Sequence, residues 1–173
     1  MRILTDEEIT ALISEPKIVT ANWFSRLEAK DKAHFQHKEK EADIKGSNGS
    51  LFRIIIRQNK LNVLDFSIII TLREKDSNLE YNLLRFNGKH PSAHTNKWEK
   101  ENKLQEYRFN PAFHVHRATQ RYQESGYRID GYAEVTARYS DFHTALNQFL
   151  LECNIKREDD GAQTSLFEGG GFQ

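Results

Sequence analysis

Hydrophobic positions in the middle of the chain fall into runs of β-branched and aromatic residues that short polar turns separate. Runs of this kind predict strands. The three longest occupy residues 50–60, 61–75 and 79–88. After a loop, shorter runs predict further strands at residues 104–110, 112–119 and 130–139. The middle of the chain is therefore expected to form a β-sheet.

The segment before these strands carries the signals of a helix start. In residues 4–16, Thr5 is the predicted N-cap, and Glu8 stands three positions later, as in a capping box. Apolar residues then follow at helical spacing until Pro16, which cannot continue a helix. We expect an N-terminal helix here, and residues 20–31 predict either a second short helix or an extended segment.

A polar stretch separates this region from the first long hydrophobic run. Residues 30–50 mix both signs of charge and end in a turn that is rich in Gly, Ser and Asn. His34 and His37 lie in this stretch. We expect both imidazoles to be solvated.

The clearest helix signal lies near the C-terminus, in residues 141–155. Apolar residues recur there at helical spacing, and Asp141 or Ser140 is the expected cap. A helix, then antiparallel strands, then a helix predicts an α+β fold, with an antiparallel sheet of about five strands, an N-terminal helix or helices and one C-terminal helix packed on it. Residues 1–155 are expected to form this single domain, and residues 156–173 a flexible, charged and Gly-rich tail.

Composition and charge exclude several classes of protein. Lys and Arg together number 25, and so do Asp and Glu. The chain therefore lacks the bulk positive charge of proteins that coat nucleic acid. A local basic patch on the surface is still compatible with this composition. The single cysteine, Cys153, excludes an internal disulfide, and its apolar neighbours predict a buried, inert thiol. No apolar run is long enough to span a membrane and no signal peptide is recognisable, so we expect a cytoplasmic protein.

The stretch "FHVHRATQRY", residues 113–122, carries the candidate chemistry. Side chains alternate between the two faces of a strand, so His114 and His116 are expected to share a face. Two such imidazoles, about 7 Å apart along the strand, form a platform for a metal ion. A metal site needs a third ligand, which His94 or Glu134 would have to supply, and no sequence feature requires it. We therefore predict no metal and no other cofactor.

General acid–base catalysis requires fewer groups. Histidine titrates near neutral pH, so one imidazole can accept a proton while the other donates one, as metal-independent cleavage of RNA requires. A cation would hold the phosphate. Arg117 belongs to the face opposite the histidines, whereas Arg121 lies beyond the end of the strand, and this favours Arg121. Two alternatives stay open: a polar strand face without chemistry, and a surface of tyrosines and arginines that binds single-stranded nucleic acid.

The loop "RFNGKHPSAHTN", residues 85–96, supplies further candidates. A glycine and a proline mark a turn in it, and loops of this kind often carry functional residues. The loop either closes over the histidines of the strand or stays exposed without a role. The residues concerned are His90, His94 and Asn96.

Several long blocks of the chain together resemble a family of small bacterial hypothetical proteins, a resemblance that brings no established activity with it. The likeness covers roughly residues 50–155 and rests on the segments 52–73, 83–96, 113–123 and 130–155. More loosely, a histidine-bearing loop after a sheet, followed by a short terminal helix, is similar to the layout of TumE-type toxin components of bacterial toxin–antitoxin pairs. That similarity implies an RNA-directed or defence-related role, an antitoxin-like partner, and functional positions at His94, His114 and His116.

Residues 163–167, "QTSLF", resemble the pentapeptide by which bacterial replication and repair proteins bind the sliding clamp. In this resemblance Leu166 and Phe167 fill an apolar pocket. Gln163 hydrogen-bonds at the rim, and Ser165 occupies a position that takes serine or aspartate. The polar flanks leave the peptide free to dock, and the alternative is that its two apolar residues pack back on the domain.

The sequence therefore predicts a bacterial protein that is associated with nucleic acid. The first hypothesis is a toxin-like or defence-related nuclease whose catalytic residues are His94, His114, His116 and Arg121. The alternative is a non-catalytic adaptor that the sliding clamp recruits through the tail. RNA, DNA, the clamp and an antitoxin-like protein are the expected partners, and no membrane is expected among them.

Overall fold

The structure, a computed structural model, describes residues 2–20, 22–23, 29–31, 37–75 and 77–158. Within these ranges the helices are α1 (Asp6–Ser14), α2 (Lys97–Glu101), α3 (Gln120–Glu124) and α4 (Phe142–Glu152). The strands are β1 (Lys17–Val19), β2 (Ala29–Asp31), β3 (His37–Lys45), β4 (Leu51–Asn59), β5 (Phe66–Arg73), β6 (Glu80–Asn87), β7 (His94–Thr95), β8 (Arg108–Phe109), β9 (His114–Arg117), β10 (Tyr132–Val135) and β11 (Ile155–Arg157).

Seven of these strands form one antiparallel sheet, in the order β10-β9-β6-β5-β4-β3-β2. This order is the order of the strands in the chain, read backwards. Each strand of the sheet therefore pairs with the sheet strand that comes before it in the sequence. The longest connection runs from β6 to β9 and contains β7, α2 and β8. We call this connection, residues 88–113, the insertion. The predicted α+β class with an antiparallel sheet is confirmed, and the sheet has seven strands where about five were expected.

The sequence predicted no strand in the polar stretch before residue 50, and the structure has one there. His37–Lys45 form strand β3, which pairs with β4 along its whole length. Charged side chains of β3 pair across the sheet, Glu39 with Arg57, and Asp43 with Arg53 at 2.9 Å between Oδ1 and Nε. Ion pairs of this kind stabilise a strand without any hydrophobic alternation, and this is why the hydrophobic pattern did not predict it.

The histidines of that stretch have different outcomes. His37 is only partly solvated: its side chain is 40% exposed, and its Nε2 lies 3.3 Å from Asp65 Oδ2. His34 lies outside the described residues, as do residues 21 and 24–28 of the segment 20–31. The described part of that segment includes Ala29–Asp31, whose backbone forms the edge strand β2.

Both predicted helix starts are confirmed. Thr5 Oγ1 accepts a hydrogen bond from the backbone N–H of Glu8 at 3.1 Å, and Glu8 Oε2 accepts one from the Thr5 N–H at 2.9 Å, which completes the capping box. At the start of α4, Asp141 Oδ1 accepts from the Thr144 N–H at 2.8 Å. These caps fix where the two helices begin and therefore which of their residues face the sheet.

Helices α1 and α4 contribute to the hydrophobic core on one face of the sheet. The strands supply alternate, buried side chains to this core, among them Phe52, Ile54, Ile56, Ile68, Ile70, Leu84 and Phe86. Phe149 of α4 meets the Phe86 ring edge-on, with 5.6 Å between the ring centres, and Tyr139 stacks on the same ring at 5.1 Å. The Cys153 thiol is buried in this core, as predicted. The insertion lies on the opposite face of the sheet.

A buried lysine joins the ends of these two helices. Lys17, on β1, is 0% exposed. Its Nζ donates to the carbonyls of Ile13 at 3.0 Å and Glu15 at 2.7 Å, at the end of α1, and to that of Cys153 at 3.1 Å, at the end of α4. Since the last carbonyls of a helix have no partner within the helix, the ammonium group satisfies them. Burial lowers the pKa of Lys17 to about 8.

Strand β11 carries the folded region slightly beyond the boundary at residue 155 that the sequence predicted. It pairs in parallel with β1, with Lys17 opposite Ile155 and Val19 opposite Arg157. The predicted clamp-binding segment, residues 163–167, lies outside the described residues. No helix in the described part of the chain is long and apolar enough to cross a membrane.

Candidate functional site

The two histidines of strand β9 lie on the sheet face opposite to α1 and α4. His114 and His116 alternate along the strand with Val115, which belongs to the core, and with Arg117, which pairs with Glu152 of α4. The two imidazoles approach edge to face, with 5.0 Å between the ring centres. They therefore share one face, as the alternation predicts, and Arg117 lies on the other.

The insertion closes over this pair of histidines. Centre to centre, the His94 ring lies 4.8 Å from that of His116 and 5.9 Å from that of His114. His90 approaches from the same insertion, with its ring 4.9 Å from that of His114. Of the two alternatives for this loop, the closed one is observed, and it brings together four of the seven histidines of the chain.

Asn96 fastens the insertion to the edge strand β10. Its Nδ2 donates to the carbonyl of Ala133 at 2.9 Å, and its Oδ1 accepts from the Ala133 N–H at 2.9 Å. Because this double hydrogen bond identifies Oδ1 as the acceptor, the imidazole of His94, whose Nε2 lies 2.9 Å from Oδ1, must donate to it. A backbone hydrogen bond with Gly131 acts on the same ring, and both contacts raise the pKa of His94 against the larger effect of desolvation.

Backbone carbonyls set the tautomers of the two strand histidines. His114 Nδ1 donates to the carbonyl of Ala112 at 2.7 Å, and His116 Nδ1 donates to that of Asp130 at 2.9 Å. In each neutral ring the lone pair is then on Nε2. Asn87 Nδ2 donates to Nε2 of His114 at 3.1 Å. Within the part of the chain that the structure describes, no hydrogen bond reaches Nε2 of His116, so this nitrogen can accept a proton from a ligand.

Burial keeps these imidazoles neutral. Loss of hydration lowers the pKa of His114 to about 4. The same cause, with the positive charge of Arg85 as the next contribution, holds the pKa of His116 well below its usual range. The pKa of His94 is also lowered by desolvation. All three rings are therefore uncharged at neutral pH.

Replacement of His114 by glutamine is expected to make the fold less sensitive to acid. The pKa of His114 is about 4 in the folded protein and about 6.5 in an unfolded chain. As the pH falls through this window the unfolded state takes up the proton first, so stability is lost. The loss amounts to about 3 kcal/mol by about pH 4. Urea unfolding measures this loss. On lowering the pH to about 4, the free energy of unfolding of the unmodified protein should fall by about 3 kcal/mol more than that of His114→Gln.

The matched control is His143→Gln, since His143 is exposed on α4. Its free energy of unfolding should follow that of the unmodified protein at each pH. If the unmodified protein and His114→Gln lose stability in parallel, His114 is protonated in the folded state and the prediction fails.

A buried aspartate holds the cations of the site. Asp130 is 1% exposed. Its carboxylate lies 3.3 Å from Nη2 of Arg85 and 3.1 Å from Nη2 of Arg128. Asn82 Nδ2 donates to the same carboxylate at 3.4 Å. Because the backbone carbonyl of Asp130 also orients His116, this one residue connects the arginines to the histidine.

These groups line a cavity of 330 Å³, a size typical of small-ligand sites. Its lining includes imidazoles and cations, from His90, His94, His116, Arg85, Lys97 and Arg128. Among the described residues that line the cavity, Asp130 is the one carboxylate, so positive charge is in excess there. Tyr122 and Tyr127 add aromatic surface. The cavity is therefore suited to an anion that also carries a flat, apolar group.

Arg121, the cation that the sequence favoured, has other contacts. Its guanidinium pairs with Glu99 of α2 and lies over the rings of Tyr132 at 4.5 Å and Trp98 at 5.2 Å. The described lining of the cavity does not include it. Its contacts hold α2 against α3, and the arginines that line the cavity are better placed to bind a ligand. A catalytic role for Arg121 stays a prediction.

Of the two candidates for a third metal ligand, one joins the histidines and the other does not. His94 lies against His116, although its Nε2 donates to Asn96. Glu134 accepts a hydrogen bond from the hydroxyl of Tyr132 instead. Within the described ranges, no three side chains of His, Cys, Asp or Glu form a group that could hold a metal ion.

Comparison of the chain with protein-family models, with curated proteins and with solved structures finds no match. The resemblances to small bacterial hypothetical proteins, to TumE-type toxin components and to clamp-binding peptides therefore stay predictions. The function has to be inferred from the geometry of the site itself.

Proposed function

We propose that the cavity binds a phosphodiester of single-stranded RNA and that its histidines cleave the RNA without a metal ion. The observation that carries this proposal is the presence of neutral imidazoles and an excess of cations in one cavity. Cleavage at the 2′-OH requires a base, an acid and a positive environment for the phosphate, and this cavity holds groups for each of them.

Arg85 and Arg128 are the cations proposed to bind the phosphate. Both guanidinium groups lie on the carboxylate of Asp130, which holds them side by side. Arg85 is mostly buried and fixed, whereas Arg128 is largely exposed and can turn toward a ligand. Guanidinium groups form two parallel hydrogen bonds with phosphate oxygens, so the pair would also set the orientation of the phosphodiester.

His116 is the proposed base. Its Nε2 takes the proton of the 2′-OH, the 2′-oxygen forms a bond to phosphorus, and the bond from phosphorus to the 5′-oxygen breaks. The hydrogen bond from Nδ1 to the carbonyl of Asp130 orients the ring and stabilises the imidazolium that forms. The low pKa of His116 makes it a weak base in the free protein. The negative charge of a bound phosphodiester raises that pKa and so restores its basicity.

His90 is the proposed acid, which gives a proton to the departing 5′-oxygen. It is half-buried, so it is in contact with solvent as well as with the cavity. The base and the acid are thus assigned to histidines in different environments, since His116 is buried and His90 is half-buried.

Cleavage of a fluorophore-labelled single-stranded RNA in the presence of EDTA tests the proposal. The protein should cleave the RNA and leave the same sequence made of DNA intact, since DNA lacks the 2′-OH. His116→Gln is expected to lower the rate by about 10²–10⁴-fold, the usual contribution of one general base. Circular dichroism of the variant checks that it is folded.

His143→Gln is the control, because it removes an exposed histidine from α4 on the other side of the sheet. It should keep the full rate. RNA that stays intact with the unmodified protein contradicts the proposal, and so does equal cleavage of RNA and DNA. An unchanged rate in folded His116→Gln would mean that another group is the base.

The wider role inferred from the sequence accords with this chemistry. A toxin-like or defence-related ribonuclease of the cytoplasm needs a partner that restrains it, such as an antitoxin-like protein. The alternative, an adaptor recruited to the sliding clamp, is supported by the pentapeptide 163–167 alone and requires no chemistry at the histidines. If the His116→Gln protein keeps its full function in the cell, the adaptor hypothesis is favoured over the ribonuclease.

A further inference from the structure

A second cavity, of 530 Å³, opens beside α4 on the core side of the sheet. Its apolar lining comes from the sheet and the helix together, from Ile56, Phe142, Leu146 and Leu150. Three of these side chains are only partly buried, so apolar surface is left accessible at the edge of the core. We call this cavity the α4 groove.

The rim of the α4 groove is basic. Lys38 and Lys40 of β3 line it, and in the sheet they lie opposite Gln58 and Ile56, which puts them on the same face as the apolar lining. Arg157 of β11 lines it as well. An apolar groove with a basic rim is suited to a peptide that combines acidic and large apolar side chains.

The chain itself carries such a peptide directly after this rim. Residues 158–160 are Glu, Asp and Asp, and Leu166 and Phe167 follow shortly after them. We propose that Leu166 and Phe167 bind in the α4 groove, with the acidic residues 158–160 against its basic rim. Arg157 lines the groove, and the acidic residues follow it directly in the chain, so they start next to the basic rim.

The length of the connection allows this contact. Phe167 is ten residues beyond Arg157, and a chain of that length spans up to about 33–36 Å when extended. A segment tethered by a short linker has an effective concentration on the order of millimolar at a site on its own domain. An intrinsic Kd weaker than is usual between separate proteins, about 0.1 mM, is therefore sufficient to keep the groove about nine-tenths occupied.

Nuclear magnetic resonance of the full chain with labelled Ile and Leu methyl groups tests the proposal. We expect nuclear Overhauser effects between the ring of Phe167 and the methyl groups of Ile56, Leu146 and Leu150. Phe167→Ala should move these methyl resonances, because the ring current is lost. Phe172→Ala, which removes the other phenylalanine of the tail, should leave them in place.

Charge supplies a second readout in the same experiment. The double variant Asp159→Asn, Asp160→Asn should weaken the intramolecular contact about tenfold. The groove methyl resonances should then move about halfway toward their positions in Phe167→Ala. Groove resonances that do not respond to Phe167→Ala, together with absent Overhauser effects, overturn the proposal. Overhauser effects that occur only between differently labelled chains in a mixed sample also overturn it, since the occupant is then the tail of a second copy.

Discussion

Asp130→Asn is expected to lower the free energy of unfolding by about 3–5 kcal/mol. The substitution keeps the shape of the side chain but leaves the guanidinium of Arg85 mostly buried without its counter-ion. Burial already lowers the pKa of Arg85, and Asp130 is the charge that opposes this. Arg85 Nε has no hydrogen-bond partner within the described residues, so a bond at this nitrogen does not compensate for the lost carboxylate. Differential scanning calorimetry should show Tm falling by about 6–20 °C for a domain of this size.

Two further variants separate this effect from a general loss of charge. Arg128→Gln removes the other cation on Asp130, but this side chain is 67% exposed, so the expected change is at most about 1 kcal/mol. Arg85→Met combined with Asp130→Asn removes both charges and should be more stable than Asp130→Asn alone. A Tm for Asp130→Asn within about 2 °C of the unmodified protein would mean that water, and not Asp130, compensates Arg85.

Phe149→Ala is expected to destabilise the domain by about 3–5 kcal/mol, through the lost burial of the ring and the cavity that remains. Phe149 is 0% exposed and meets the Phe86 ring edge-on at 5.6 Å. Phe86 in turn stacks on Tyr139, whose hydroxyl lies 2.8 Å from the carbonyl of His114 and donates to it. The core is therefore in contact with the backbone of the histidine strand. Guanidinium chloride unfolding should show a lower midpoint with an unchanged slope.

Leu151→Ala is the matched control, because Leu151 lies on the same helix and is 74% exposed. Its expected effect is within about 0.5 kcal/mol of zero. A loss below about 1 kcal/mol in Phe149→Ala would show that neighbouring side chains collapse into the space, which the packed rings of Phe86 and Tyr139 make unfavourable. A changed slope would indicate instead that the compactness of the folded or unfolded state has changed.

The parts of the fold that could be predicted from the sequence are those that local interactions determine. The capping box of Thr5 and Glu8 and the cap at Asp141 involve residues three positions apart, so the sequence contains all of the information. The hydrophobic runs of β4, β5 and β6 are local patterns in the same sense. Strand β3 is different, because Glu39 and Asp43 are stabilised by arginines that only the pairing with β4 brings close.

The candidate site divides in the same way. Alternation along β9 was enough to place His114 and His116 on one face. Closure of the insertion was an open alternative, because it depends on the hydrogen bonds between Asn96 and Ala133, which are far apart in the chain. No pattern in the sequence distinguishes Asp130 from the other acidic residues. Its buried partner Arg85 lies on β6, far from it in the chain, and only the fold brings the two together.

The strand order of the sheet has a consequence for how the site forms during folding. From β2 to β6 each strand pairs with its neighbour in the chain, so these pairings close short loops at low entropic cost and are expected to form early. The pairing of β6 with β9 closes the whole insertion and should form late. The four histidines come from β9 and from that insertion. The central strands of the sheet are therefore expected to pair before the cavity is complete, so any activity of the cavity would appear late in folding.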